Sequence, residues 1–250
     1  MSNYHDLMVS ALETGLEIGF ASNKIVGIIG AMDIEVNGII RAMTERTDKT
    51  ISGIKFISGK IGDKSVVVAK CGVGKVFAAI CAQTMILEYK PTAIINIGVA
   101  GALTKDLAVM DVVLGTEVLQ HDMDTSALGD PKGFISGINV TNIKADRDIT
   151  ASLEKAAKEV GCNVFKGIIA SGDKFISNKK EKDLLNKQFN AIACEMEGAA
   201  IGHVCYVNKV PFAVLRAISD GEGAAMDYLT FSDKAAEQSI GVIKKFFEQK

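Results

Sequence analysis

Proline is scarce in this chain, with three residues among 250, and no stretch of the sequence resembles a linker between domains. Together with 48% apolar residues and 24 glycines, the lack of a linker predicts a single compact α/β domain. No apolar run approaches the roughly 20 residues that a membrane-spanning helix needs. We therefore expect no membrane partner.

A marked net charge is also missing. The formal net charge is −2, and the 28 Lys and Arg residues are scattered without a basic stripe, which argues against a nucleic-acid partner. The five cysteines are an odd number, lie in apolar surroundings and have no metal-type spacing. They predict reduced, buried thiols in a cytoplasmic protein.

Residues 1–24 form an N-terminal extension that differs from the rest of the chain. The extension has no early positive charge and no uninterrupted apolar core, so it does not read as a secretory signal. Its scattered leucines leave room for an amphipathic helix or a tether. We therefore place the folded domain at residues 25–250.

Short apolar runs alternate with helical patterns without repeats, which predicts a sheet sandwiched between helices. Runs this short and continuous are typical of buried strands in a mixed or parallel sheet. A turn at residues 62–64 predicts that strands Thr50–Lys60 and Ser65–Ala69 pair in antiparallel fashion. The other predicted strands are Ile25–Gly30, Ala93–Ile97, Asp111–Gly115, Val164–Ala170, Ala191–Cys194 and Phe212–Ile218. The predicted helices are Asp33–Met43, Lys75–Tyr89, Asp148–Val160, Lys179–Asn186, Gly198–Asn208 and a C-terminal helix.

Two acidic clusters follow apolar runs in the second half of the chain. Glu195 and Glu197 flank Met196, and Asp220 follows Ser219 at the end of a predicted strand. Ligands bind at the carboxyl ends of strands in open α/β sheets. A buried carboxyl group has a raised pKa, which suits it to donate a proton near neutrality. These carboxyl groups are therefore candidates for catalysis.

Five motifs together resemble a known family. In chain order they are Gly30-Ala31-Met32-Asp33-Ile34-Glu35, Gly72-Val73-Gly74-Lys75-Val76, Ser171-Gly172-Asp173-Lys174-Phe175-Ile176, Glu195-Met196-Glu197 and Arg216-Ala217-Ile218-Ser219-Asp220. From residue 25 to the C-terminus, the chain is similar to the 5′-methylthioadenosine/S-adenosylhomocysteine nucleosidases of the purine nucleoside phosphorylase-like family. The resemblance implies a three-layer αβα sandwich with a central mixed sheet, and a cytoplasmic homodimer. It also implies a nucleoside substrate, water as the other reactant, no cofactor or metal, and work in methionine salvage.

Cleavage of a purine N-glycosidic bond by water needs an acid at the departing base and a base for the water, as in glycosidases. By resemblance, Asp220 faces adenine N7 as the acid and Ser219 holds it; a helix N-cap is the structural alternative. Glu35 would activate the water, although a carboxylate in the first helical turn also stabilises the helix dipole.

The resemblance places the remaining substrate contacts around these two groups. Glu197 would accept hydrogen bonds from the ribose hydroxyls and stabilise positive charge on the sugar, and Met196 would pack against the ribose. Glu195 points to the other face of its segment, where an ion pair with a Lys or Arg is the better interpretation. The strand end at Ala100 and Gly101 would also contact the substrate.

Aromatic and more distant residues complete the expected site. Phe175 would stack on adenine while the backbone of Ile176 reads the purine edge. Arg216 would lie near the attacking water or form a buried ion pair. Leu128 would line the 5′-alkylthio pocket of the neighbouring subunit, and Phe231 would lie over the 5′ substituent from a mobile loop.

Two further patterns were weighed against this interpretation. Long irregular segments tend to be functional, and the one predicted at residues 120–142 contains His121, Asp122 and Asp124. One His with two Asp is a weak metal constellation, so we expect no metal. The turn Gly72-Val73-Gly74 is read as a tight turn before a helix, with no phosphate implied.

Phosphorylases of the same superfamily use phosphate instead of water and typically hold it with Arg and Ser or Thr. At the corresponding places this chain has Asn96 and Val99, and Asp33 and Glu35 would repel phosphate from the loop after the first strand. We therefore predict hydrolysis. Val99 also departs from the nucleosidases, where Ser is usual, which leaves the placement of the water open.

Two alternatives to the thioether nucleosidase remain. The first is a relative that hydrolyses a modified nucleoside such as futalosine, or one that uses phosphate. The second is a non-catalytic nucleoside-binding protein of the same fold. Carboxyl groups at all three positions, Glu35, Glu197 and Asp220, argue against the second.

Overall fold

The computed structural model describes residues 24–221 and 225–249, so nearly all of the N-terminal extension lies outside the described residues. The strands are β1 Ile25–Gly30, β2 Thr44–Ile51, β3 Ile54–Ile61, β4 Lys64–Lys70, β5 Ala93–Ala102, β6 Val112–Gln120, β7 Ile143–Lys144, β8 Val164–Ser171, β9 Ala191–Glu195 and β10 Phe212–Asp220. The helices are α1 Asp33–Ala42, α2 Lys75–Tyr89, α3 Arg147–Glu159, α4 Lys179–Phe189, α5 Gly198–Asn208 and α6 Ala225–Glu248. Apart from one hairpin and two added short elements, the predicted elements are confirmed.

The hairpin before β4 differs from the prediction. The predicted strand Thr50–Lys60 is broken at Ser52 and Gly53, whose φ angles of 52° and 77° are both left-handed, as a tight two-residue hairpin requires. The unpredicted partner is β2, which pairs with β3 in antiparallel fashion. Strand β2 is exposed along almost its whole length, so its sequence carries no alternation of apolar and polar residues.

The sheet is mixed and partly closed. Its strand order is β10-β6-β8-β9-β5-β1-β4-β3-β2, with a further pairing between β10 and β5. The strands β5, β10, β6, β8 and β9 therefore form a ring, from which β1 to β4 extend as an open sheet. Strand β5 runs parallel to β1 and β10 and antiparallel to β9.

Helices cover both faces of the sheet, which confirms the three-layer sandwich. Cys81 and Met85 of α2 and Ile201 of α5 belong to the apolar cluster on one face. A second cluster contains buried residues of α1, α3 and α6, such as Ile39 and Leu153. A smaller cluster under α4 completes the core. Within the described residues, no helix combines the length and apolar character that crossing a membrane requires.

Helix α5 packs closely against the sheet, and a comparison of Gly202 with Gly241 tests how closely. A Cβ added at Gly202 in α5 would lie 2.8 Å from Val118 and 2.9 Å from Phe212, whereas one added at Gly241 in α6 has no atom within 4 Å. We expect Gly202→Ala to lower the free energy of unfolding by about 1–3 kcal/mol through overpacking. Gly241→Ala should raise it by about 0.5–1 kcal/mol, because alanine loses less backbone entropy. Urea denaturation of both variants checks this, and equal effects would contradict it.

Candidate active site

A cavity opens where β1, β5, β9 and β10 end. Its lining contains the predicted residues Glu35, Ala100, Gly101, Phe175, Met196, Glu197, Ser219 and Asp220, together with Ala31, Met32, Val73, Val99, Cys194, Glu195 and Tyr228. Asp220 is the last residue of β10 and Glu195 the last of β9. The expectation that these carboxyl groups lie at strand ends is confirmed, and the structure brings them together in one cavity.

Glu35 is fixed by backbone donors. It is 3% exposed, and its Oε2 accepts hydrogen bonds from the N–H groups of Ala31 at 2.6 Å and Met32 at 2.9 Å. Its Oε1 accepts one from the N–H of Val99 at 3.1 Å. The contact to Met32, the N-cap residue of α1, is the one that a capping-box glutamate makes. Glu35 therefore caps its helix and also faces the cavity.

The environment of Glu35 raises its pKa above the usual value for a glutamate. Burial raises the pKa of Glu35, while the charge of Arg216 and the three backbone donors partly oppose this shift. A carboxyl group with a raised pKa is a better proton acceptor near pH 7 than an ordinary glutamate. The approach of Glu35 to β5 also requires a glycine, because a Cβ at Gly98 would collide with its Oε1.

Glu197 is the second buried carboxyl group. It is 7% exposed, and its Oε1 accepts a hydrogen bond from the N–H of Gly74 at 2.8 Å. The turn before α2 thus turns a backbone donor toward a carboxylate, which agrees with the interpretation of Gly72-Val73-Gly74 as a turn. Burial, followed by the charge of Glu195, raises the pKa of Glu197 to about 8.

Glu195 and Arg216 form the predicted ion pair beneath the cavity. Both are almost fully buried, and Glu195 also accepts hydrogen bonds from Ser171 and from the N–H groups of Glu197 and Gly198. Arg216 does not line the cavity. Of its two expected positions, the structure shows the buried ion pair.

Asp220 has side-chain partners on both oxygens. Its Oδ1 lies 3.0 Å from the hydroxyl of Ser219, as expected. Its Oδ2 lies 2.7 Å from Nζ of Lys182, and the two side chains are only 3% and 5% exposed. A Cβ at Gly101 would lie 2.9 Å from the same Oδ2, so the close approach of Asp220 to β5 depends on that glycine.

Two aromatic rings flank the opening. Phe175 is 42% exposed, and its ring centroid lies 5.4 Å from that of Tyr228 in an edge-to-face contact. The hydroxyl of Tyr228 lies 3.3 Å from the sulfur of Met32. The exposed face of Phe175 is free to stack on a planar ligand.

The side chains of three further predicted site residues do not line the cavity, and the backbone contact expected of Ile176 stays a prediction. Ile176 has its side chain in the small core cluster under α4. Leu128, in a short 3-10 helix, is 84% exposed. The expectation that Phe231 lies on a loop is wrong, because residues 225–248 form the continuous helix α6 and Phe231 does not line the cavity. Tyr228, one turn earlier on that helix, does.

Both aspartates of the possible metal-ligand set are bound by other groups of the protein, whereas the buried Nε2 of His121 has no hydrogen-bond partner among the described residues. Asp122 accepts from Nζ of Lys75 at 2.6 Å and from the N–H of Asp173 at 2.9 Å. Asp124 accepts from the backbone and hydroxyl of Ser126. In the described ranges, no three side chains of the metal-binding types are grouped to hold an ion.

Sequence reasoning missed Lys182 and Tyr228. Lys182 lies in the polar run Lys179–Asp183, which reads as a solvated helix face. Its position three residues before the buried Leu185 was the available signal, since such pairs share a helix face. Tyr228 follows a segment without a clear pattern, and nothing in the sequence distinguishes it.

The side chains that line the cavity are poorly suited to bind phosphate. Among the described residues, no Lys or Arg lines it, whereas Glu35, Glu195, Glu197 and Asp220 do. Asp33, expected to help repel phosphate, instead lies at the surface in a 2.8 Å ion pair with Lys70. Asn96 is also structural, because its amide donates to the carbonyl of Ile29 at 2.9 Å and accepts from Arg216.

Fold and site together define an αβα sandwich with a cavity lined by carboxyl groups at its strand ends. Residues 25–248 match the family described as the phosphorylase superfamily. A nucleosidase for 5′-methylthioadenosine and S-adenosylhomocysteine from Actinobacillus succinogenes is 40% identical over 221 residues, which cover 87% of this chain and 96% of the relative.

Solved structures agree with this match. The corresponding nucleosidase of Neisseria meningitidis, solved with methylthio-immucillin-A, is 32% identical, with a TM-score of 0.86 over 89% of this chain and 98% of that one. Futalosine hydrolase of Helicobacter pylori is 34% identical, with a TM-score of 0.86 over 90% and 97%. The chain belongs to the phosphorylase superfamily and, within it, to the family of 5′-methylthioadenosine/S-adenosylhomocysteine nucleosidases.

The raised pKa of Glu197 predicts a pH-dependent cost to stability. Between about pH 4.5 and 8 the folded protein keeps a proton on Glu197 that the unfolded chain releases, so this group makes stability fall as pH rises. Glu197→Gln keeps the oxygen that accepts from Gly74 but cannot ionise. We expect the variant to match the wild type below about pH 4.5 and to be more stable by a few kcal/mol above pH 8.

Urea denaturation at several pH values measures the difference between the two proteins. The exposed Glu237→Gln serves as the matched control and should leave the pH dependence unchanged. An unchanged pH dependence in Glu197→Gln would contradict the raised pKa.

Proposed function

We propose that this protein hydrolyses the N-glycosidic bond of 5′-methylthioadenosine and S-adenosylhomocysteine, and of 5′-deoxyadenosine, releasing adenine and the 5-substituted ribose. The observation that carries the proposal is a cavity lined by Glu35, Glu197 and Asp220 without a basic side chain among the described residues. The names of the relatives support the same reaction.

Asp220 is the proposed acid and Glu35 the proposed base. Proton transfer from Asp220 to N7 of the purine neutralises the base as the bond to C1′ breaks. Glu35 takes a proton from the attacking water, and its raised pKa suits it to that task. Its three backbone hydrogen bonds hold the carboxylate in one orientation, which lowers the entropic cost of aligning the water.

The sugar and the purine are held by the remaining lining residues. Glu197 accepts from the ribose hydroxyls, and the positive charge that develops on the sugar favours its ionised form, which stabilises the oxocarbenium-like transition state. Met196 packs against the ribose, and the exposed ring of Phe175 stacks on adenine. We assign the 5′ end of the site to Tyr228 instead of Phe231.

Water is the proposed nucleophile because the cavity disfavours phosphate. A phosphate ion brought next to Glu35 would find no basic side chain in the described lining, because Arg216 and Lys182 are paired with Glu195 and Asp220. Its charge would therefore lose hydration without gaining a partner. Val99 does not weaken this argument. Its backbone N–H, not its side chain, makes the contact to Glu35.

The direct test is release of free base from 5′-methylthioadenosine, S-adenosylhomocysteine, adenosine, inosine and futalosine, each with and without phosphate. We expect adenine from the two thioethers at rates that phosphate does not change. Asp220→Asn, which cannot donate the proton, should be about 10²–10⁴-fold slower. Futalosine belongs in the panel because a futalosine hydrolase is among the similar structures.

Each other result of this assay has a definite meaning. Release that requires phosphate would make the protein a phosphorylase and contradict the charge argument. Release of base from futalosine alone would show that the protein is a futalosine hydrolase. Binding without release of any base would favour a nucleoside-binding protein.

We further propose that the protein works as a cytoplasmic homodimer in which Leu128 completes the 5′ pocket of the other subunit. Leu128 is 84% exposed and does not reach the cavity of its own subunit. Helix α2 carries further exposed apolar residues, with Val76 at 69%, Phe77 at 53% and Leu87 at 65%. Exposed apolar surface of this kind is typical of an interface.

Complementation between inactive variants tests the shared site. In a heterodimer of Leu128→Asp and Asp220→Asn, one site has an intact Asp220 and receives an intact Leu128. Co-expression should therefore restore turnover that neither variant has alone. Glu35→Gln with Asp220→Asn is the control. Both residues line the cavity of the same subunit, so each site of this heterodimer lacks one of them and turnover should not return. No gain in the first pair would contradict the proposal.

A further inference from the structure

The polar helix α4 buries one of its lysines. Lys182 and Leu185 are its buried residues, whereas Lys180 and Lys187 on the same helix are exposed. A lysine is almost never fully buried unless it is paired. The partner of Lys182 therefore explains why this side chain turns inward.

That partner is the proposed acid. Nζ of Lys182 lies 2.7 Å from Oδ2 of Asp220 and donates a second hydrogen bond to the carbonyl of Gly221 at 2.6 Å. The hydroxyl of Ser219 contacts the other carboxyl oxygen of Asp220. Cys194 and Tyr228 are titratable groups that interact with the pair, and Lys105, Lys179 and Asp183 line a second cavity together with Lys182.

The pair differs from the other buried ion pair of the site. Arg216 also meets a buried carboxylate, but a guanidinium does not release its proton in proteins. An ammonium group can release one. Transfer of a proton from Nζ to Oδ2 converts the ion pair into an amine and a carboxylic acid, and so removes two charges from a place where charges are costly.

We propose that Lys182 is a positioning residue that holds the Asp220 carboxyl group and supplies the proton that Asp220 delivers. This inference rests on the proposed function. A proton moves from Nζ to Asp220, and the carboxylic acid gives its proton to N7 as the C1′–N9 bond breaks and the electron pair stays on the purine.

The charges of this sequence balance. Adenine leaves as a neutral base, Asp220 is again a carboxylate, and Lys182 is left as a neutral amine. The water that attacks C1′ gives one proton to Glu35. After product release, Lys182 takes a proton from solvent and Glu35 returns one, which restores both groups.

Two substitutions of Lys182 show whether it supplies a proton to Asp220 or only places a positive charge beside it. Lys182→Met keeps the apolar stem, and we expect kcat for 5′-methylthioadenosine to fall about 10²–10⁴-fold at neutral pH, with a small change in KM. Its kcat should rise as pH falls, because Asp220 must then take its proton from water. Lys182→Arg keeps the charge and the donors but not the transferable proton, so its kcat should stay low.

Exposed Lys180→Met is the matched control and should behave as the wild type. A kcat near the wild-type value in Lys182→Arg would overturn the proposal and leave Lys182 as a source of charge. A pH-independent loss in Lys182→Met, with adenine binding also lost, would assign a structural role. If Lys182→Arg does not fold, the pH profile of Lys182→Met decides alone. A wild type that releases no adenine would instead remove the proposed function itself.

Discussion

Arg216 is the buried positive charge that balances three carboxyl groups of the site, Glu35, Glu195 and Glu197. Its guanidinium joins the end of β9 through Glu195 and the middle of β5 through Asn96, and its charge counteracts the raised pKa of both Glu35 and Glu197. Four carboxyl groups line one small cavity. Without an internal cation, their mutual repulsion and loss of hydration would oppose folding. Removal of one partner from a buried pair leaves an uncompensated charge, so Arg216 serves the fold and the site together.

The remaining support comes from the backbone. Glu35 is held by three N–H groups from β5 and the start of α1, and Glu197 by the N–H of Gly74. Such donors are fixed by the fold and cannot swing away, so the carboxylates are oriented before any substrate arrives. Helix α6 braces the same region, because the hydroxyl of Ser239 donates to the carbonyl of Gly98 at 3.1 Å. The packing of α6 thus fixes the part of β5 that contacts Glu35.

The sequence predicts best what continuous apolar runs define. Buried strands such as β1 and β10 and the carboxyl groups at their ends could be located, since a buried strand and its terminus leave a local signal. Strand β2 left none, because its side chains are exposed and its pairing comes from the neighbouring hairpin. The loop expected around Phe231 is a helix, and the role of Arg216 depended on which strands meet. Strand order and long-range pairs such as Lys182 with Asp220 join residues far apart in the chain, beyond any local pattern.

The acid and the base of the proposed reaction are supported in opposite ways, and this difference has a consequence. Glu35 accepts its hydrogen bonds from backbone N–H groups, and Arg216, whose ion pair is with Glu195, acts on it through its charge alone. Asp220 rests on a lysine, a group that brings a full charge and a transferable proton. The two carboxyl groups therefore differ in whether a group that can give up a proton is hydrogen-bonded to them. On this argument the choice of acid and base follows from what lies behind each carboxyl group, since both open on the same cavity.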